Sequence, residues 1–258
     1  MWFQVRSYFK FLTKSTNQYG VHSPFVFDLL VRCLYDKKQY PEYERITQYR
    51  RTVLASNQVI EVADFGAGSK VFKSNTRSVS DIAKNAGISK QRSKMLFRIA
   101  RYYASERIME IGTSVGLATA ALAVANENAI IVSLEGCPET ANVARTSLQS
   151  IAENVNVITT EFATFLTSLA VDKSTFDLIY FDGNHQKVAT LRYFDLLLPT
   201  VTNDSVWIFD DIHWSRDMED AWEEIKAHPK VTVTIDTFQW GIVFFRKEQR
   251  KEDFFVRV

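Results

Sequence analysis

Short apolar runs with an acid at or next to their last residue alternate, over the second half of the chain, with stretches of helical period. Four such runs are Arg107-Ile108-Met109-Glu110-Ile111, Ile130-Ile131-Val132-Ser133-Leu134-Glu135, Phe176-Asp177-Leu178-Ile179-Tyr180-Phe181-Asp182 and Val206-Trp207-Ile208-Phe209-Asp210-Asp211. Each is apolar and β-branched or aromatic over strand length, too short for a buried helix. Val155 to Thr159 is a further strand. The segments between them read as helices: an alanine-rich one after Gly116, one opened by Pro138, one ending before Pro199 and one over Met218 to Ala227. Strands alternating with helices predict a parallel α/β sheet. Val231 to Ile235 and Ile242 to Phe245 alternate like a final strand pair, with Gln239-Trp240-Gly241 as their turn. Upstream, helices are predicted over 2–14, from Phe25 to Tyr35 behind a Ser23 cap and Pro24, from Pro41 to about Ser56, over 81–86, and from Ser89 to Tyr103.

At 258 residues the chain suits one large domain, or one domain with an extension. A net charge of +1 argues against nucleic-acid binding driven by bulk charge. Cys33 and Cys137 have neither metal-type spacing nor a disulfide framework around them, and read as buried thiols. No apolar run reaches membrane-spanning length, and residues 1–6 lack the features of a signal peptide, so the default location is cytoplasmic. Helix 2–14 carries Arg6, Lys10 and Lys14, but its apolar residues spread around the wheel. That favours packing on the domain or on a second subunit of a homodimer over membrane association.

The chemistry gathers at Glu110-Ile111-Gly112-Thr113-Ser114-Val115-Gly116. Gly112 permits a sharp turn, and Gly116 lets the next helix start lie close to a ligand, with its N–H groups facing outward. A carboxylate before the turn suits a cationic or hydroxyl-bearing ligand better than a pyrophosphate. Ser114 in place of a middle glycine weakens a dinucleotide reading. Glu135 at the second strand tip can accept from ribose hydroxyls. Val62-Ala63-Asp64-Phe65-Gly66-Ala67-Gly68 imitates this motif, but no apolar helix follows it. Residues 64–80 read as a surface loop whose Lys70, Lys73 and Arg77 either cover a site and grip an anionic substrate or are simply solvated.

The E-I-G-x-x-x-G pattern, with the acid-tipped second strand, resembles the class I S-adenosylmethionine (SAM)-dependent methyltransferases, above all their catechol-type O-methyltransferase branch, over about residues 80–246. The resemblance implies a Rossmann-like, doubly wound sheet of seven strands, mostly parallel with the last strand antiparallel. It sets a methyltransferase domain at 81–258 and an N-terminal helical extension with a possible lid loop at 1–80. It implies SAM bound by Glu110, Gly112, Ser114, Gly116, Glu135, Gly136, Phe162, Ala163 and Asp182. Phe162 is equally readable as core.

Asp182, Asp210 and Asp211 all fall where apolar strands emerge, the place where open parallel sheets bind ligands. Two carboxylates about 5 Å apart repel by roughly 3 kcal/mol at an effective dielectric near 20. A divalent cation relieves that, as do a raised pKa or divergent side chains. Oxygen ligands favour Mg²⁺ or Ca²⁺. The resemblance implies a metal held by Asp, Asp and Asn at these places, with Asp211 standing where Asn is usual; sugar and macrolide O-methyltransferases look closer still. The other reading leaves Asp182 to receive the SAM amino group and Asp210 to cap a turn. His185 is a candidate base, an anion or sugar ligand, or a helix cap; His213 is a second candidate base. Trp214 and Trp240 would wall a substrate pocket. The expected activity is methyl transfer to a hydroxyl of a small molecule. The alternatives are a metal-independent N- or protein methyltransferase and a non-catalytic SAM-binding scaffold.

Overall fold

The computed structural model describes residues 2–63 and 74–258. The chain divides into two compact units, one of Met1–Tyr35 with Leu166–Val258 and one of Asp36–Phe165. Eight mostly parallel strands alternate with helices; five lie in the first unit and three in the second.

The first unit opens with α1 (Trp2–Lys14), a 3₁₀ turn (Gln18–Gly20) and α2 (Pro24–Leu29), which runs on into a π turn (Leu30–Leu34). Ser23 Oγ accepts from the Val26 N–H and Pro24 takes the first turn, as the local sequence predicts.

The second unit runs α3 (Glu42–Leu54), β1 (Val59–Glu61), β2 (Thr76–Ser78), α4 (Val79–Asn85), α5 (Lys90–Tyr102), β3 (Arg107–Ile111), α6 (Leu117–Ala123), β4 (Ile130–Glu135), α7 (Pro138–Leu148) and β5 (Val155–Thr159). Strands β3, β4 and β5 are parallel neighbours in that order. Ser78 and Ser89 cap α4 and α5 with their hydroxyls. Residues 76–78, read from sequence as loop, form an antiparallel ribbon with β1. Lys70 and Lys73 lie outside the described residues.

The chain then continues through α8 (Phe162–Asp172) into β6 (Leu178–Phe181), α9 (Lys187–Leu197), β7 (Val206–Asp210), α10 (Arg216–Ala227), β8 (Val233–Asp236), β9 (Trp240–Phe244) and β10 (Glu252–Phe255). The strand order in this unit is β10-β8-β9-β7-β6, with β9 antiparallel to both β7 and β8. Every residue of β6 and β7 is buried, which explains why they read as continuous apolar runs. Met218, Ala221, Trp222 and Ile225 form the buried stripe of α10. The Trp222 ring lies so close over Gly241 that a Cβ there would come within 2.5 Å of it.

Two expectations need correction. There is one strand more than seven, because β10 adds in parallel to β8, so the chain does not end on the antiparallel strand. Trp240 is not in a turn facing a substrate. Pairing of Asp210 with Trp240 starts β9 there, and the turn falls at Thr237–Gln239, where the Thr237 N–H donates to the Trp240 carbonyl. Trp240 is wholly buried, its ring edge-on to Tyr180 at 5.8 Å.

Candidate active site

The predicted cofactor residues of the second unit converge on the turn from β3 to α6. Gly112 (φ 103°), Ser114 (φ 48°) and Gly116 (φ 78°) all take positive φ, so the backbone reverses tightly between strand and helix. Glu135, at the tip of β4, accepts from the Ser114 N–H at 2.8 Å and from the Cys137 N–H at 2.9 Å. One carboxylate thus ties together the ends of two adjacent parallel strands. Burial pushes its pKa up, while the Cys137, Ser114 and Gly136 N–H groups pull it down. Leu134 accepts from the N–H groups of Gly112 and Thr113, which closes the turn against β4. Ala163 is buried and Phe162 half-buried at the start of α8, whose first N–H groups are capped by the Glu161 carboxylate.

Glu110 is completely buried. It sits opposite Ser133 in the β3–β4 register, and the hydroxyls of Ser133 and Thr119 both donate to its Oε2. Its Oε1 has no partner among the described residues. Burial pushes its pKa up to about 7; Ser133 and Thr119 act against the rise and Glu135 adds to it. Between the unfolded glutamate value near 4.3 and about 7, the native state binds a proton that the unfolded state has released. Stability is therefore fully present below the lower value and falls as pH rises through the upper one. From about pH 5.5 to 7.5 the ligand-free protein is expected to lose roughly 2 kcal/mol by this route. Urea denaturation at several pH values should show the slope, and Glu110→Gln should flatten it. An unchanged slope in the variant would remove Glu110 from the account.

In the first unit, β7 delivers Asp210, nearly buried. Its Oδ2 accepts from the Tyr180 hydroxyl at 3.1 Å and its Oδ1 from the Asp211 N–H at 2.9 Å. Asp211 has φ 53°, a left-handed conformation that Asn and Asp tolerate best among residues with a side chain. That gives a backbone reason for Asp or Asn at this position, separate from any ligand. Asp182 follows β6, and the chain turns through Asn184 (φ 52°) to His185, whose Nε2 is 3.7 Å from Asp182 Oδ1. Both side chains are partly exposed, and they form an ion pair when the ring is protonated. The start of α9 just beyond is fixed by the Lys187 N–H donating to Asp217.

His213 is placed differently. It is buried, with Nε2 2.8 Å from Asp236 Oδ2, its ring stacked on Phe238 and Nδ1 3.6 Å from Glu219 Oε1. Its ring links β8 and α10 and does not face solvent. Trp214 is about one-third exposed, and its backbone N–H donates to the Asp211 carbonyl. Among the described residues, no group of three or more histidine, cysteine or carboxylate side chains is gathered as a metal site.

Ser133, Tyr180 and Tyr49 were not singled out from sequence. Ser133 interrupts an apolar strand one register position across from Glu110, a signal that becomes readable once the two strands are aligned. Tyr49, on the buried face of α3, donates to the Val115 carbonyl at 2.9 Å, inside the cofactor turn. Nothing local marks it.

Residues 109–212 match the family described as a methyltransferase domain. That match covers less than half of the chain, and the architecture around it is the α/β fold of methyltransferases. Among solved structures it is similar to an S-adenosylhomocysteine (SAH)-bound methyltransferase from Podospora anserina (15% identity, 88% of this chain and 97% of that one, TM-score 0.59). It is also similar to an O-methyltransferase from Bacillus cereus in complex with SAH (19%, 81% and 93%, 0.55). A third is the O-methyltransferase TomG from Streptomyces achromogenes, involved in tomaymycin synthesis and solved with SAM (17%, 86% and 95%, 0.57). Comparison with curated proteins found no significant match. Among the described residues no helix is long and apolar enough to cross a membrane.

Proposed function

We propose that this protein transfers the methyl group of SAM to a hydroxyl of a small molecule. The observation that carries the reading is the β3–α6 turn, with three positive-φ residues and Glu135 locked onto the Ser114 N–H. An ionised carboxylate has about four acceptor sites, so Glu135 keeps capacity for ribose hydroxyls beside its backbone donors. Asp182 receives the amino group of the methionine end. The sulfonium methyl is already electrophilic, so the protein's main task is alignment, which supplies on the order of 7–11 kcal/mol of barrier reduction in well-oriented reactions. As the O–CH₃ bond forms and the S–CH₃ bond breaks, His185 takes the hydroxyl proton and neutral SAH leaves. The similarity to O-methyltransferases solved with SAM or SAH supports this reading.

The divalent ion expected from sequence would be held by Asp182, Asp210 and Asp211. Asp210 accepts from the Tyr180 hydroxyl and the Asp211 N–H, and the three acids are not gathered as a metal site among the described residues. No step is assigned to the ion. Calorimetric titration with SAM should show one site per chain, and turnover on a panel of hydroxylated small molecules should be unchanged by EDTA. Activity lost to EDTA and restored by Mg²⁺ would return the ion to Asp182, Asp210 and Asp211. SAM binding with no turnover on hydroxyl, amine or protein acceptors would favour a scaffold role.

A further inference from the structure

Helix α1 is held to its unit by one face only. Phe11 and Ser7 are buried, Tyr8 and Phe11 pack on Phe238, and Lys10 pairs with Glu219 at 3.5 Å. The opposite face carries Trp2 (87% exposed), Val5 (43%) and Phe9 (64%), at i, i+3 and i+7. Arg6 lies beside them; Lys10 is exposed though paired with Glu219, and Lys14 is exposed with its Nζ 5.2 Å over the Phe255 ring. The wheel of 2–14 reads as mixed from sequence because Phe11 and Tyr8 belong to the packed face. Once they are set aside, an exposed apolar stripe flanked by cations remains. The first 27 residues hold three cations, these same ones, and no Asp or Glu. Tyr19, on the turn after α1, is also exposed.

We propose that this face of α1 docks the protein on an anionic lipid surface. Trp2, Val5 and Phe9 enter the headgroup region, while Arg6 and Lys14 lie against lipid phosphates. Charge decides between this occupant and a second copy of the chain. A two-fold contact sets the same patch against itself, which would face Arg6 and Lys14 with their own copies and no acid on either helix. A negatively charged bilayer complements them. The inference is independent of the reaction assigned above.

The test is co-sedimentation of the full chain with phosphatidylcholine vesicles containing about 30% phosphatidylserine, and with pure phosphatidylcholine vesicles, at low and high salt. Binding is expected to the anionic vesicles and to weaken with salt. It should fall about fivefold in Arg6→Ala and about 25-fold in Arg6→Ala/Lys14→Ala. Phe9→Ala should weaken it as well. Because Arg6 and Phe9 are exposed, the melting temperatures of their single variants should stay at the parent value. Equal binding to both vesicle types, or none to either, overturns the proposal. So does a dimer on size-exclusion chromatography that Phe9→Ala dissociates.

Discussion

Replacing Gly116 by alanine is expected to destabilise the protein by about 3 kcal/mol, the sum of two separable effects. Gly116 has φ 78°, where an L side chain is strained by roughly 1–2 kcal/mol. A Cβ at this position would also sit 2.5 Å from the Tyr49 hydroxyl, with two Leu148 carbons at 3.3 Å. Relieving such an overlap in a packed interior costs about 1–3 kcal/mol. Tyr49 cannot simply swing aside, because it is buried and its hydroxyl donates to Val115. The two effects can be told apart in a double-mutant cycle. In a Tyr49→Phe background the nearest obstructing atom is gone, so Gly116→Ala should cost only about 1–2 kcal/mol, the backbone strain alone. Urea unfolding of the four proteins measures the cycle. The same cost in both backgrounds would mean that Tyr49 does not press on the turn, and a neutral Gly116→Ala would deny the strain too. SAM affinity should fall along with stability in the single variant, since the displaced backbone is the one proposed to approach the cofactor.

This pair also marks the limit of what the chain's pattern reveals. Gly112 and Gly116 are legible because a strand-to-helix reversal needs positive φ, and that need is local. The caps at Ser23, Ser78, Ser89 and Ser215 are each a single short-range hydrogen bond, and the first and third were readable for that reason. Strands β6 and β7 announce themselves because both faces are covered. Tyr49 is different. Its helix face can be read, but its partner is 66 residues away and follows from packing. The start of β9 is set by pairing with Asp210, which carried Trp240 out of the predicted turn and into the core. Strand β10 was missed because Glu252 and Asp253 keep it from reading as apolar; charged residues suit an edge position. The three acids at the strand tips were correctly placed in sequence, yet their hydrogen-bond partners were not legible. For Asp210 those partners are Tyr180, two elements' length away in sequence, and the Asp211 N–H, fixed by the turn that Asp211 makes.

His185→Gln is expected to lower kcat by 10²- to 10⁴-fold, about 3–5 kcal/mol of transition-state stabilisation, while leaving the SAM dissociation constant and the melting temperature near their parent values. The expectation rests on position. His185 follows the β6 tip by four residues, is only partly buried, and has Nε2 3.7 Å from the Asp182 carboxylate. That carboxylate can steady a ring that has just gained a proton. Glutamine keeps a polar side chain of similar reach but cannot accept the proton, so it separates base catalysis from hydrogen bonding. His213→Gln should behave in the opposite way. Its ring is buried between Asp236 and Glu219, so the variant should melt earlier, with kcat per folded molecule little changed. Steady-state kinetics with the acceptor varied, alongside calorimetry with SAM, distinguishes these outcomes. A rise in the acceptor's KM with kcat intact would make His185 a binding group for the acceptor. If His213→Gln lost kcat at unchanged stability, the proton acceptor would be His213.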